Sequence, residues 1–109
     1  MFLAIAGIIA IGALVTLAVV LTIRWLKQKI KDHLAKKNVK KVAAMSIEKL
    51  VEECPNQMSL ADLDDYDMVI ATVDNNNQVK DVELVKDEGY GDPEVDRLLG
   101  DEDMVVVNG

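Results

Sequence analysis

The chain has 109 residues, a net charge of −7 and a single cysteine, Cys54. One cysteine excludes an internal disulfide, and with this acidic balance we expect no nucleic-acid partner. The total conceals a split, since residues 24–41 carry eight basic side chains against one acid, and residues 42–109 carry eighteen acids against four basic side chains. The chain therefore divides into an apolar segment, a basic segment and an acidic remainder.

The apolar segment covers residues 1–23. Residues 2–23 contain no charged side chain, and Thr16 and Thr22 are their only polar ones. A helix of about 20 apolar residues crosses the hydrocarbon core of a bilayer, so this segment predicts a single-pass transmembrane helix. A cleaved signal peptide is the main alternative. It is disfavoured because no basic residue precedes the apolar run and no small-residue cleavage site follows it.

The basic segment, residues 24–41, is predicted to continue as a helical juxtamembrane stalk. Leu26, Ile30 and Leu34 recur every fourth residue and form one apolar stripe. The stalk has three interpretations: contact with anionic headgroups, pairing with copies of itself, or a simple stop-transfer flank. In the first, the residues at the membrane interface are Arg24, Trp25, Lys27, Lys29, Lys31, Lys36 and Lys37.

Orientation follows from the position of the basic residues. All of those near the apolar segment lie after it, and lysine and arginine stay on the cytoplasmic side of a membrane. The sequence therefore predicts a membrane protein with its N-terminus outside and its C-terminal domain in the cytosol. If that orientation fails, a secreted or periplasmic domain is the remaining alternative.

Residues 42–109 are predicted to form a small, acidic α+β domain. Ser46 is a candidate cap for a helix that ends at Pro55, and a β-hairpin follows with Val79, Val82, Leu84 and Val85 packing inward. Asp92, Pro93 and Gly100 mark the start and end of a short helix that buries Val95, Leu98 and Leu99. A final strand covers the run of valines. Residues 39–45 fit either a strand or a helical turn.

No catalytic, cofactor or metal site is expected. His33 is the only histidine and is interpreted as a solvated side chain on the basic helix. Asp74, Asn76 and Gln78 resemble the start of a calcium loop, but valine occupies the positions of its required glycine and glutamate. The acidic run at 101–103 is interpreted as a solvated face that can also meet a basic partner or the basic segment of this chain.

The sequence therefore suggests a non-enzymatic, single-pass membrane protein whose acidic cytosolic module recruits or regulates a partner or joins a membrane complex. Its expected partners are the lipid bilayer and a second protein or copies of itself, with no small-molecule substrate evident. The alternative from another class is a holin-like or small toxin protein, which perturbs a membrane through oligomerisation of its span.

Overall fold

The computed structural model describes residues 14–53, 65–76 and 79–109, which form a mixed sheet with helices packed on it. Cys54 and the end of the helix predicted at Pro55 lie outside the described residues. The elements, in chain order, are β1 (Leu14–Val19), α1 (Ile23–Leu34), β2 (Val39–Ser46), α2 (Ile47–Glu53), β3 (Met68–Asp74), β4 (Val79–Asp87), α3 (Pro93–Leu99) and β5 (Met104–Asn108).

The predicted transmembrane helix over residues 1–23 is wrong. Residues 14–19 form strand β1, residues 20–22 belong to no helix or strand, and a helix begins only at Ile23, where the sequence is already basic. No helix among the described residues is both long and apolar enough to cross a bilayer. The prediction of a membrane protein with an outer N-terminus and a cytosolic domain is contradicted with it. Residues 1–13 lie outside the described part of the chain.

The sheet has five strands in the order β1-β4-β3-β2-β5. Strand β1 runs parallel to β4, with Leu14 opposite Val82 and Val19 opposite Asp87, and the other three pairs are antiparallel. The predicted hairpin is confirmed as β3 and β4. Residues 39–45, which the sequence left open, belong to strand β2, which lies between β3 and β5.

Each face of the sheet carries its own apolar cluster. On one face α1 and α3 pack on alternate strand residues. This helix-side cluster contains Leu21, Leu26, Ile30, Val42, Ala44, Met68, Ile70, Val85, Val95 and Leu99. The opposite cluster joins Ile47 and Leu50 of α2 to Ala43, Met45, Val69, Ala71, Val73, Val82 and Leu84. Because successive strand residues point to opposite faces, β2 and β3 are buried on both sides.

Several local predictions are confirmed. The Ser46 hydroxyl accepts a hydrogen bond from the Lys49 amide at 3.1 Å, as expected of a cap at the start of α2. The side chain of Asp92 caps α3, Pro93 opens it, and Gly100 ends it with φ of 70°, a conformation that favours glycine. Of the hairpin residues, Val82, Leu84 and Val85 are buried. The side chain of Val79 lies outside the described part.

The stripe on the basic helix also differs from its predicted use. Leu26 and Ile30 are buried against the sheet, and Leu34 packs at the margin of the helix-side cluster. The stripe therefore docks α1 on its own domain. It supplies the core rather than a coiled-coil seam.

Candidate functional site

A buried polar network joins α1 to β4. His33 is only 2% exposed, and its Nε2 contacts the Glu83 carboxylate, which lies on the facing strand. The second carboxylate oxygen of Glu83 lies 3.5 Å from the ammonium group of Lys29, one helical turn before His33. The interpretation of His33 as a solvated side chain is therefore wrong.

The hydrogen-bonding geometry indicates which His33 nitrogen carries the proton. Nδ1 is buried and has no hydrogen-bond partner among the described residues. An Nε2–H group donates a hydrogen bond to the Glu83 carboxylate, whereas an Nδ1–H group would be buried without an acceptor. The arrangement thus fits the Nε2 tautomer, with the negative charge of Glu83 balanced by Lys29. This network links α1 to the sheet, because His33 and Lys29 of the helix both contact Glu83 of β4.

An acidic cavity of about 300 Å³ lies where the loops after β4 and before β5 meet. Three of its carboxylates already accept hydrogen bonds from backbone amides. Asp87 accepts from Leu21 at 3.0 Å and from Gly89 at 2.8 Å, and Asp67 accepts from Asp87 at 2.6 Å. Asp92 accepts from Ile23 at 2.9 Å. These carboxylates brace the loops and hold the start of α1 against the end of β4.

Hydrogen bonds from backbone amides also lower the pKa of one of these carboxyl groups. The backbone amides of Ile23 and Glu94 hold the pKa of the Asp92 carboxyl below its ordinary value, with a smaller contribution from Arg97. No group of three or more histidine, cysteine or acidic side chains within the described ranges is arranged to hold a metal ion.

The residues predicted for a membrane interface all lie on or just after α1. Lys29 forms an ion pair with Glu83, and Trp25 packs, half-buried, at the edge of the helix-side cluster. Arg24, Lys27 and Lys31 lie on the outer surface of α1, and Lys36 and Lys37 occupy the turn before β2. Their contact with lipid stays a prediction, and the transmembrane helix on which it depended is contradicted. As a group they place positive charge along α1 and the turn that follows it.

One edge of the sheet is formed by β5, which among the described residues pairs only with β2. The Ser46 amide donates to the Asp103 carbonyl and the Gly109 amide to the Lys40 carbonyl, each at 2.9 Å. In an antiparallel pair, residues that exchange hydrogen bonds alternate with residues that face away. Met104, Val106 and Asn108 therefore direct their backbone N–H and C=O groups away from β2. We call these groups the β5 edge.

A groove of about 310 Å³ adjoins this edge on the helix side of the sheet. Its floor and walls are apolar, from Ile30, Leu34, Leu98 and Val107, and Lys27 and Lys31 stand at its rim. We call it the β5 groove. It places apolar side chains and positive charge directly beside the outward N–H and C=O groups of β5.

Sequence reasoning missed both features. The run of valines predicted a strand, but its place at an edge of the sheet depends on pairing with β2, about 60 residues earlier in the chain. The absence of charge and proline from Met104–Val107 was the available signal, because exposed edges ordinarily carry such residues. Comparison with protein-family models, with curated proteins and with solved structures finds no match for this chain.

Proposed function

We propose that this chain is a non-enzymatic protein-interaction module that binds an extended segment of a partner along β5. The observation that carries the proposal is the β5 edge beside the β5 groove. A strand added to a sheet edge gains affinity from main-chain hydrogen bonds and specificity from side-chain pockets next to them. The β5 edge supplies the first and the β5 groove supplies the second.

The composition of β5 supports this function. Residues 104–107 contain no proline and no charged side chain, and all four are half-buried. Proteins commonly protect an edge strand from pairing with charges, prolines, bulges or covering loops. A strand without charge or proline at such a position is a template for pairing.

The groove indicates the chemistry of the partner. Apolar side chains on the helix side of an added strand would enter the space between Leu34, Leu98 and Val107. The ammonium groups of Lys27 and Lys31 favour acidic residues at its margin. The segment bound is therefore an extended chain with apolar residues and with carboxylates at the end that lies beside these lysines.

A synthetic peptide tests this directly. The probe has four valines preceded by glutamates, so that an antiparallel peptide brings the glutamates to the basic end of β5, and its control carries lysines in place of the glutamates. With the full chain, we expect the glutamate peptide to shift the backbone amide NMR signals of β5 and to slow hydrogen exchange at residues 104, 106 and 108. The lysine peptide should bind more weakly because its basic end meets Lys27 and Lys31.

A matched pair of variants locates the binding. Asn108→Pro removes one outward N–H without touching the hydrogen bonds to β2, whereas Asn108→Ala keeps that N–H and loses only the side chain. Binding should be lost in the proline variant and kept in the alanine variant. Shifts confined to other elements, or equal binding by both variants, would show that the β5 edge is not the docking site.

A further inference from the structure

We propose that the segment docked on β5 is β5 of a second copy, so that the chain forms a two-fold symmetric dimer through its sheet edges. This inference rests on the proposed function and names its partner. An interface between identical copies must be self-complementary, because each surface meets the same surface turned by 180°. The β5 edge meets this condition in its backbone, its side chains and its charges.

The backbone fixes the register. Residues 104, 106 and 108 of β5 direct their N–H and C=O groups outward, so an antiparallel partner must set these same positions against one another. Placing Val106 opposite Val106 of the second copy also sets Met104 opposite Asn108. All outward groups are then used, giving about six hydrogen bonds. A shift of two residues towards the N-terminus would set Asn108 against the turn at 100–103 and lose pairs.

The side chains in this register are compatible on both faces. Val105 and Val107 point to the helix side, where Val107 already lines the β5 groove. In the dimer Val105 of one copy lies beside Val107 of the other, so apolar side chains extend the groove across the symmetry axis. On the other face the two Val106 side chains meet at the axis. Cross-strand pairs of β-branched residues of this kind stabilise a sheet.

Opposite charges lie at the two ends of β5. The turn just before it contains Asp101, Glu102 and Asp103, with Asp103 in the left-handed region at φ of 55°. At its other end the Gly109 amide bonds to the Lys40 carbonyl, next to the turn that holds Lys36 and Lys37. An antiparallel partner brings the acidic end of one copy to the basic end of the other, and does so twice.

Sedimentation velocity of the full chain over a range of concentrations measures the association. We expect a species of twice the chain mass of 12.0 kDa in reversible equilibrium with the monomer. Asn108→Pro should weaken the dimer about tenfold or more, while Asn108→Ala leaves it within about twofold. The glutamate peptide should compete with dimerisation, because both occupy the β5 edge.

A charge-exchange experiment identifies the contact between copies. The double variant Asp101→Lys/Glu102→Lys and the double variant Lys36→Glu/Lys37→Glu should each lose the homodimer by placing like charges together. Mixing the two, with one isotopically labelled, should restore a heterodimer in native mass spectrometry. All four positions are exposed, so their substitution leaves the core intact.

The outcomes separate the two proposals. A chain that stays monomeric but binds the glutamate peptide at β5 would overturn the dimer and leave the proposed function standing. A dimer that persists in Asn108→Pro, or whose charge variants fail to recover on mixing, would place the interface elsewhere and overturn the dimer. A chain that neither dimerises nor binds the peptide would overturn both.

Discussion

The carboxylate of Glu83 lies between two cationic or hydrogen-bonding groups of α1, His33 and Lys29, in a part of the fold with little access to water. Each group depends on the others for its hydrogen bonds. A buried polar network is stabilising only when its members are satisfied, and the loss of one member exposes the rest to an unfavourable environment. The network is therefore best probed by removing members singly and together.

We expect Glu83→Leu to cost about 1–3 kcal/mol of stability, because it leaves the Nε2–H of His33 buried without an acceptor. The double variant His33→Phe/Glu83→Leu should recover much of that loss, since no unpaired polar atom remains. Lys29 is partly exposed and can turn to solvent. Urea unfolding of the double variant and of the two single variants, Glu83→Leu and His33→Phe, measures the coupling. If the double variant loses the sum of the two single losses, the coupling between His33 and Glu83 is absent.

Asp92 gives the fold a pH-dependent contribution. Its pKa is lower in the folded state than its ordinary value of 3.8, because amides of Ile23 and Glu94 donate to the charged carboxylate. The folded state thus binds fewer protons at this site. The contribution of Asp92 to folding stability is present above pH 3.8 and is lost as the pH falls through the lower, folded-state pKa of this carboxyl group.

Asp92→Asn should therefore be less stable than the wild type at neutral pH, and the difference should narrow as the solution becomes acidic below about pH 4. Thermal unfolding across a pH series is the measurement. Asp96→Asn is the control, because it removes the same charge from the same helix without removing the bond to Ile23. If the difference in melting temperature between Asp92→Asn and the wild type stays constant with pH, this role of the charge is contradicted.

At the scale of elements, α3 shows how burial divides two neighbouring leucines. Leu99 is buried in the helix-side cluster, whereas Leu98 is half-buried and lines the β5 groove. A helix this short depends on tertiary packing for its stability. Leu99 therefore supports α3 on the sheet, and Leu98 contributes chiefly to the groove.

We expect Leu99→Ala to cost about 2–5 kcal/mol and Leu98→Ala distinctly less. Differential scanning calorimetry of the full chain compares the two. The Leu98 variant should instead weaken binding along β5, because it removes one wall of the groove. Equal destabilisation by both substitutions would mean that Leu98 belongs to the core rather than to the groove.

Elements with local signals were predictable from the sequence. The cap at Asp92, the proline after it and the glycine at the end of α3 act within one or two turns of the chain, so the pattern itself contains the cause. The hairpin of β3 and β4 was predictable for the same reason. Strand β1 was not, because a continuous apolar run fits a buried strand and a helix equally well, and its length favoured the helix.

Features that depend on distant partners could not be predicted. His33 is buried by the sheet and paired with Glu83, which lies 50 positions later in the chain. Nothing adjacent to His33 indicates that partner. The order of strands likewise places β2 between β3 and β5, so the β5 edge exists only once the whole sheet has formed.

At the scale of the whole molecule, the two ends of the described chain are placed at opposite edges of one sheet. Strand β1 forms one edge and β5 the other. We therefore expect Ala18→Lys, an exposed position on β1, to leave dimerisation unchanged, and sedimentation velocity tests this. Weakening by this substitution would instead place β1 in the interface.

The long-range hydrogen bonds at the start of α1 also determine when this part of the chain can fold during synthesis. The amides of Leu21 and Ile23 bond to carboxylates 66 and 69 positions later, and β1 pairs only with β4 among the described residues. The N-terminal residues leave the ribosome first. Strand β1 can therefore pair only after most of the chain, including β4, has been synthesised. Throughout that wait the least polar part of the nascent chain is available to chaperones, and the speed of translation sets how long it stays so.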